Sequence, residues 1–154
     1  MLGFLSKIFG GSKSDKDVKK LEPIVKEINS HYAQLQNLTN DQLRNKTNEF
    51  KAQIAEYLQA IDEEIAAKKA EAEDGELNAR EAVYDEVDKL QKRRDELLEE
   101  ILEKILPEAF AVVKETARRF KENAELASTA TDLDRQFAVN KEHITIEGDN
   151  VIYK

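Results

Sequence analysis

The chain contains no cysteine and no tryptophan, two prolines, two histidines and five glycines in 154 residues. Without cysteine there are no disulfides, zinc–thiolate sites or thiol nucleophiles. With so few helix breakers, long uninterrupted helices are expected. No apolar run approaches the roughly 20 residues a membrane-spanning helix needs. Basic charge is also short: 24 Lys and Arg against 32 Asp and Glu leave a net charge of −8. That balance argues against a general nucleic-acid binder, which shows a basic excess. Apolar residues make up 40% and charged residues 36%, a soluble, acidic, helix-rich composition.

The charge is unevenly spread. Residues 1–20 hold five lysines and two aspartates, a net of +3, so the remainder carries −11. Met1-Leu-Gly-Phe-Leu-Ser-Lys-Ile-Phe-Gly10 opens the chain. As a helix it places Leu2, Phe4, Leu5, Ile8 and Phe9 within about 160° of arc, with Lys7 on the opposite side. At about 12 Å it is too short to span a bilayer, and it lacks the cleavage site of a signal peptide. Two readings remain: an arm docked on the protein's own core, or an interfacial anchor with its lysines on anionic lipid. The second makes Leu2, Phe4, Leu5, Lys7, Ile8 and Phe9 the candidate membrane contacts. Gly10-Gly11-Ser12-Lys13 is not a phosphate loop, since Ser12 precedes the lysine and no strand precedes the turn. It reads as a joint.

Beyond the joint, Val18, Leu21, Val25, Ile28, Tyr32 and Leu35 form a helical stripe, with Pro23 expected to kink the helix or mark its start. His31 has no partner at ligand spacing and reads as a surface residue. Thr39 and Gln42 make a capping box for a helix over about 40–73. Its stripe is Leu43, Thr47, Phe50, Ile54, Tyr57, Ile61 and Ile65. Asp74-Gly75 is a turn. A second stripe of Val83, Val87, Leu90, Leu97, Ile101 and Ile105 follows, interrupted by Arg94. Two long helices joined by a short turn predict an antiparallel hairpin with an acidic tip over 62–76. Glu64–Lys68, Asp85–Lys89, Asp88–Lys92 and Glu100–Lys104 are expected to pair within their helices. Pro107, well suited to a first helical position, is read as restarting the pattern.

After Ala127, Ser128-Thr-Ala-Thr131 reads as a linker, residues 132–140 as a short helix, and 143–154 as a β-hairpin turning at Gly148-Asp149-Asn150. A lone hairpin is marginal in water, so further sheet is expected beyond residue 154. Asp132-x-Asp134 is not a calcium loop, because Phe137 and His143 stand where such a loop has glycine and glutamate. The expected class is therefore mainly α: a long antiparallel helical hairpin, a short amino-terminal amphipathic helix and a carboxy-terminal β-hairpin.

Four segments in order carry a resemblance: Phe4-Leu-Ser-Lys-Ile-Phe-Gly10, Leu21-Glu-Pro-Ile-Val25, Leu38-Thr-Asn-Asp-Gln-Leu43 with Lys46-Thr-Asn-Glu-Phe50, and Leu106-Pro-Glu-Ala-Phe-Ala-Val-Val113. Together they resemble the amino terminus of the SecA family of preprotein translocase ATPases, the front part of an α/β motor ATPase. The resemblance implies a layout of arm and joint (1–13), helical family region (14–50), a lineage-type inserted hairpin (51–105), a helix leading into the first nucleotide-binding domain (106–127), and linker plus β-hairpin (128–154), truncated before the ATP-binding motifs. In that family the intact protein uses ATP and Mg to push unfolded preproteins through the SecYEG channel. It cycles between the cytoplasm and the inner face of the bacterial cell membrane, and its amino terminus contributes to lipid contact and homodimer formation.

The family's phosphate loop, acidic magnesium motif and adenine-contacting glutamine motif do not occur in these residues, and Gln136 does not match the last. No catalytic, cofactor-binding or metal residue is therefore assigned, no nucleic-acid partner is expected, and the segment is expected to be inactive alone. The alternative is an autonomous helical protein–protein interaction module with no enzymatic role.

Overall fold

The computed structural model describes residues 13–74 and 77–154; for 13–16, 74 and 77–79 the backbone course alone is described. The elements are α1 (Lys13–Leu35), α2 (Asn40–Asp74), α3 (Leu77–Glu122), β1 (Leu126–Thr129), α4 (Asp132–Ala138), β2 (Ile144–Glu147) and β3 (Asn150–Tyr153). The class is mainly α, as the composition indicates. The amphipathic segment 1–10 and the Gly75 turn lie outside the described residues.

The chain divides into two compact units, residues 39–106 and residues 1–38 with 107–154. The first contains α2 and the front of α3. It begins where the capping box places it: Thr39 N donates to Gln42 Oε1 at 2.8 Å and Gln42 N donates to Thr39 Oγ1 at 3.1 Å. Leu58, Ile61, Ile65 and Val87 form its core, flanked by Ile54, Tyr57, Leu90, Leu97 and Leu98. The positions on α2 recur at steps of three and four, the periodicity of one helix face. Leu58 widens that face beyond the expected stripe and is its most buried member, at 2% exposure.

Polar cross-links join the two helices of this unit. Lys68 pairs with Glu86 at 2.8 Å, Arg94 with Asp62 at 2.5 Å, and Tyr57 Oη donates to Glu100 at 2.9 Å. Partners rising along α2 meet partners falling along α3, which makes the pair antiparallel. Arg94, the interruption in the second stripe, is thus a cross-helix contact, its Nε and Nη2 facing both oxygens of Asp62. Lys68 and Lys104 do not take their expected i−4 partners. Lys68 bonds Glu71 and Glu86, and Lys104 lies 4.5 Å over the Tyr57 ring while donating to its hydroxyl. A neighbouring helix offers partners that a single-helix reading does not contain.

In the second unit two expectations change. Pro107 does not start a helix; it lies inside α3, which runs unbroken from Leu77 to Glu122. Proline removes one backbone donor. Here Pro107 is itself buried and begins an i,i+4 ridge continued by Ala111, Glu115 and Arg119, all buried. Pro23 lies inside α1, so of its two expected roles marking the helix start is the one that falls away.

Second, Ser128 and Thr129 do not belong to a linker. They close β1, and the sheet order is β1-β3-β2, both pairings antiparallel. The third strand of the sheet comes from upstream of the hairpin. Ser128 faces Val151 in the ladder, and both are buried. The β2–β3 turn holds Gly148 at φ 62°, the first central position, where only glycine is unstrained.

Candidate functional site

The membrane-contact candidates Leu2, Phe4, Leu5, Lys7, Ile8 and Phe9 all lie outside the described residues. The helix that follows them is described, and it shows what the arm is attached to. Along α1, Ile24, Ile28, His31 and Tyr32 are half-buried and Leu35 is buried, whereas Val18, Leu21 and Val25 are exposed. The expected stripe is therefore real but only partly covered: its rear half faces the unit and its front half faces outward. Lys19 and Lys20 are exposed beside the outward part, with Lys20 lying 3.8 Å from Asp17.

The rear of α1 meets a buried ion cluster on α3. Glu115 Oε1 accepts from Arg119 Nε at 2.7 Å and from Arg118 Nη2 at 2.8 Å, and its side chain has no exposed surface. Arg118 also bonds Glu122. The hydrogen bond from Arg118 holds the Glu115 carboxyl below its ordinary value, helped by Arg119 and opposed by burial. Arg118 is raised above the ordinary arginine range by Glu115 and Glu122. Sequence reading missed this cluster because charged residues at i,i+3 and i,i+4 look like a solvated helix face.

Among the described residues Asp134 is the other buried carboxylate, at 4% exposure. It accepts from Thr131 N and Thr131 Oγ1, both at 2.8 Å, and from the Tyr153 hydroxyl. Thr131 Oγ1 in turn accepts from Asp134 N, completing a capping box at the start of α4. The carboxylate is thus occupied by a structural task. A cleft of about 500 Å³ is lined by Phe120, Phe137, Ile144 and Tyr153 among others. Phe120 and Tyr153 meet edge to face there, with ring centroids 6.0 Å apart. Among the described residues there is no group of three or more His, Asp or Glu able to hold a metal ion, and no helix long and apolar enough to cross a membrane.

Comparison with known proteins places this arrangement. The profile described as SecA DEAD-like domain matches residues 5–139. Among similar relatives, the protein named Protein translocase subunit SecA from Porphyromonas gingivalis is 41% identical over 151 residues, covering 98% of this chain and 14% of that protein. Proteins of the same name from Christiangramia forsetii and Cytophaga hutchinsonii are 43% and 44% identical, each covering 96% of this chain and 13% of the relative. These alignments are about as long as the chain, so the relatives carry the interval 51–105 as well. No solved structure matches the chain. The chain spans about one seventh of the length of these relatives, and with a family match over most of its residues, it belongs to the SecA DEAD-like domain family.

Proposed function

We propose that this chain is the amino-terminal part of a SecA motor that drives preproteins through the SecYEG channel with ATP, and that this part supplies membrane and partner contacts rather than chemistry. The observation that supports the reading most is the near-complete coverage of the chain by proteins named as translocase subunits, while it fills only 13–14% of their length. The remaining length is where this reading puts the phosphate loop and the magnesium carboxylates, groups the present sequence does not contain. Nucleotide and Mg belong to that remainder, and so does contact with the unfolded preprotein. The working place is the cytoplasm and the inner face of the membrane, reached peripherally.

The contribution of these residues is attachment. An apolar face of five residues with lysines at 7, 13, 16, 19 and 20 suits the headgroup boundary of an anionic bilayer. Apolar burial there contributes at most about 1.5–3 kcal/mol per large side chain, and ordering the arm offsets about 1–2 kcal/mol per residue. The lysines then tip the balance at about 1 kcal/mol each near anionic lipid.

Cosedimentation with vesicles tests this. The chain should bind vesicles containing anionic lipid, bind neutral vesicles weakly, and release in high salt as the Debye length shrinks. Deleting residues 1–10 should abolish binding and leave helix content intact. Equal binding after the deletion, or none to anionic vesicles before it, overturns the attachment role. Calorimetry with Mg-ATP should show no binding to the 154-residue chain; micromolar binding would mean that it holds a nucleotide site of its own.

A further inference from the structure

Helix α1 ends without a glycine or a left-handed residue to close it. Its last turn holds no basic side chain, and Gln36-Asn37-Leu38 follows instead of a glycine. The last carbonyls of a helix have no partner within it and carry the negative end of its dipole. One donor is local: Leu38 N donates to Leu35 O at 3.1 Å. The charged donor comes from far along the chain. Arg119 Nη2 donates to Leu38 O at 2.7 Å and to Leu35 O at 3.2 Å.

Arg119 is itself held. Its Nε is bonded to Glu115, one turn earlier on α3, and the residue is 8% exposed. The planar guanidinium thus spends one edge on a buried carboxylate and another on two carbonyls, a division that the point charge of lysine does not reproduce. A second polar contact lies five residues back on α3. Lys114 Nζ donates to Asn29 Oδ1 at 2.8 Å and sits 4.2 Å over the Tyr32 ring. Apolar attachment is confined to one side of α1: Ile24, Ile28 and Tyr32 are half-buried and Leu35 is 3% exposed, but Val18, Leu21 and Val25 are all at least half exposed.

We infer that α1 is a strap fastened to the last turns of α3 by Arg119, with Lys114 as a weaker second fastening, and that breaking this clasp frees α1 while the α2–α3 hairpin and the sheet stay folded. This goes beyond the translocase reading and does not depend on whether the arm meets a membrane. Arg119 is a positioning residue: it sets where α1 ends and whether that end is held.

Hydrogen exchange read by mass spectrometry on the full 154-residue chain tests the clasp. In Arg119→Met, amides of residues 28–38 should exchange about tenfold faster, the size expected for losing hydrogen bonds to a charged donor. Peptides over 54–65, 87–101 and 144–153 should stay within about twofold of the parent. Arg119→Lys should fall between the two, since it keeps the charge and loses the fork. Lys114→Ala, at an exposed position, should raise exchange over 28–34 by about two- to threefold. Unchanged exchange over 28–38 in Arg119→Met overturns the inference. Uniform acceleration along the whole chain also overturns it, because Arg119 would then support general stability. A Lys114→Ala variant indistinguishable from the parent removes the second fastening.

Discussion

The two units differ in where they keep their large apolar side chains. In residues 39–106, Leu58, Ile61, Ile65 and Val87 close on one another, and of the large hydrophobics only Tyr84, Leu102 and Leu106 are exposed among the described residues. In the other unit Val18, Leu21, Val25, Phe110, Val113, Phe120, Leu133, Phe137 and Val139 are all exposed, while Glu115, Arg119, Ser128 and Asp134 are buried. One unit is organised by apolar packing with ion pairs along its edge. The other is organised by buried polar groups, with much of its apolar surface turned outward. Charged groups hold geometry strictly because a broken pair leaves an unsolvated charge, while apolar contacts supply most of the free energy. The hairpin should therefore be the sturdier unit, and the other the more sensitive to pH and to single polar substitutions.

Leu58→Ala against Val113→Ala gives the largest contrast. Removing Leu58 should destabilise the chain by about 2–5 kcal/mol, whereas Val113→Ala, at 66% exposure, should change stability by no more than about 0.5 kcal/mol. Urea denaturation followed by far-UV circular dichroism reads both. Similar losses from the two would dissolve the distinction between the units.

Glu115→Gln comes next, at about 3 kcal/mol, the low end for breaking a buried pair because Arg118 reaches solvent. Its pH dependence has a definite sign. The folded carboxyl sits below its ordinary value of 4.5, so the unfolded chain takes up the proton first. The contribution of Glu115 is full above about pH 5.5 and is lost as pH falls through the ordinary value toward the folded one. The stability difference between parent and Glu115→Gln should therefore shrink below about pH 4.5. A difference that is constant down to pH 3 would mean the charge of Glu115 is not what holds the cluster.

Thr131→Ala should cost about 1 kcal/mol through loss of the α4 cap, detected as faster exchange in residues 132–138. An effect confined to β1 would show that Thr131 serves the sheet instead. The smallest effect belongs to Arg94→Gln in the hairpin. Its pair with Asp62 is partly exposed, so the melting temperature should drop slightly in low salt and the difference should vanish in high salt. A large, salt-independent drop would make polar contacts as decisive in the hairpin as in the other unit.

Much of the hairpin was legible because its determinants are local. The Thr39–Gln42 box and the three-and-four spacing each need only a few neighbouring residues. The β2–β3 turn was legible for the same reason. The reading failed where a distant partner decided the outcome. Ser128-Thr129 resembles loop composition until β3 pairs with it, and Pro107 reads as a boundary until the buried ridge 107–111–115–119 is seen. Arg119 meets carbonyls 81 and 84 residues away, and no pattern within α1 or α3 announces that meeting. The candidate membrane arm was legible as a pattern only, from its apolar arc and nearby lysines.

The order β1-β3-β2 has a consequence for how the sheet comes into being. Of the three strands, the central one is made last. During synthesis β1 and β2 leave the ribosome with nothing to pair with each other, and both wait for residues 150–153. Closing β1 onto β3 spans more than 20 residues, a slower event than closing the β2–β3 turn. The hairpin should thus form first and β1 be recruited second, with the bond from Tyr153 to Asp134 able to form only once the final strand is present. Loss of just those four residues would leave β1 and β2 both without this partner, so the three-stranded arrangement depends on β3 far more than its small size implies.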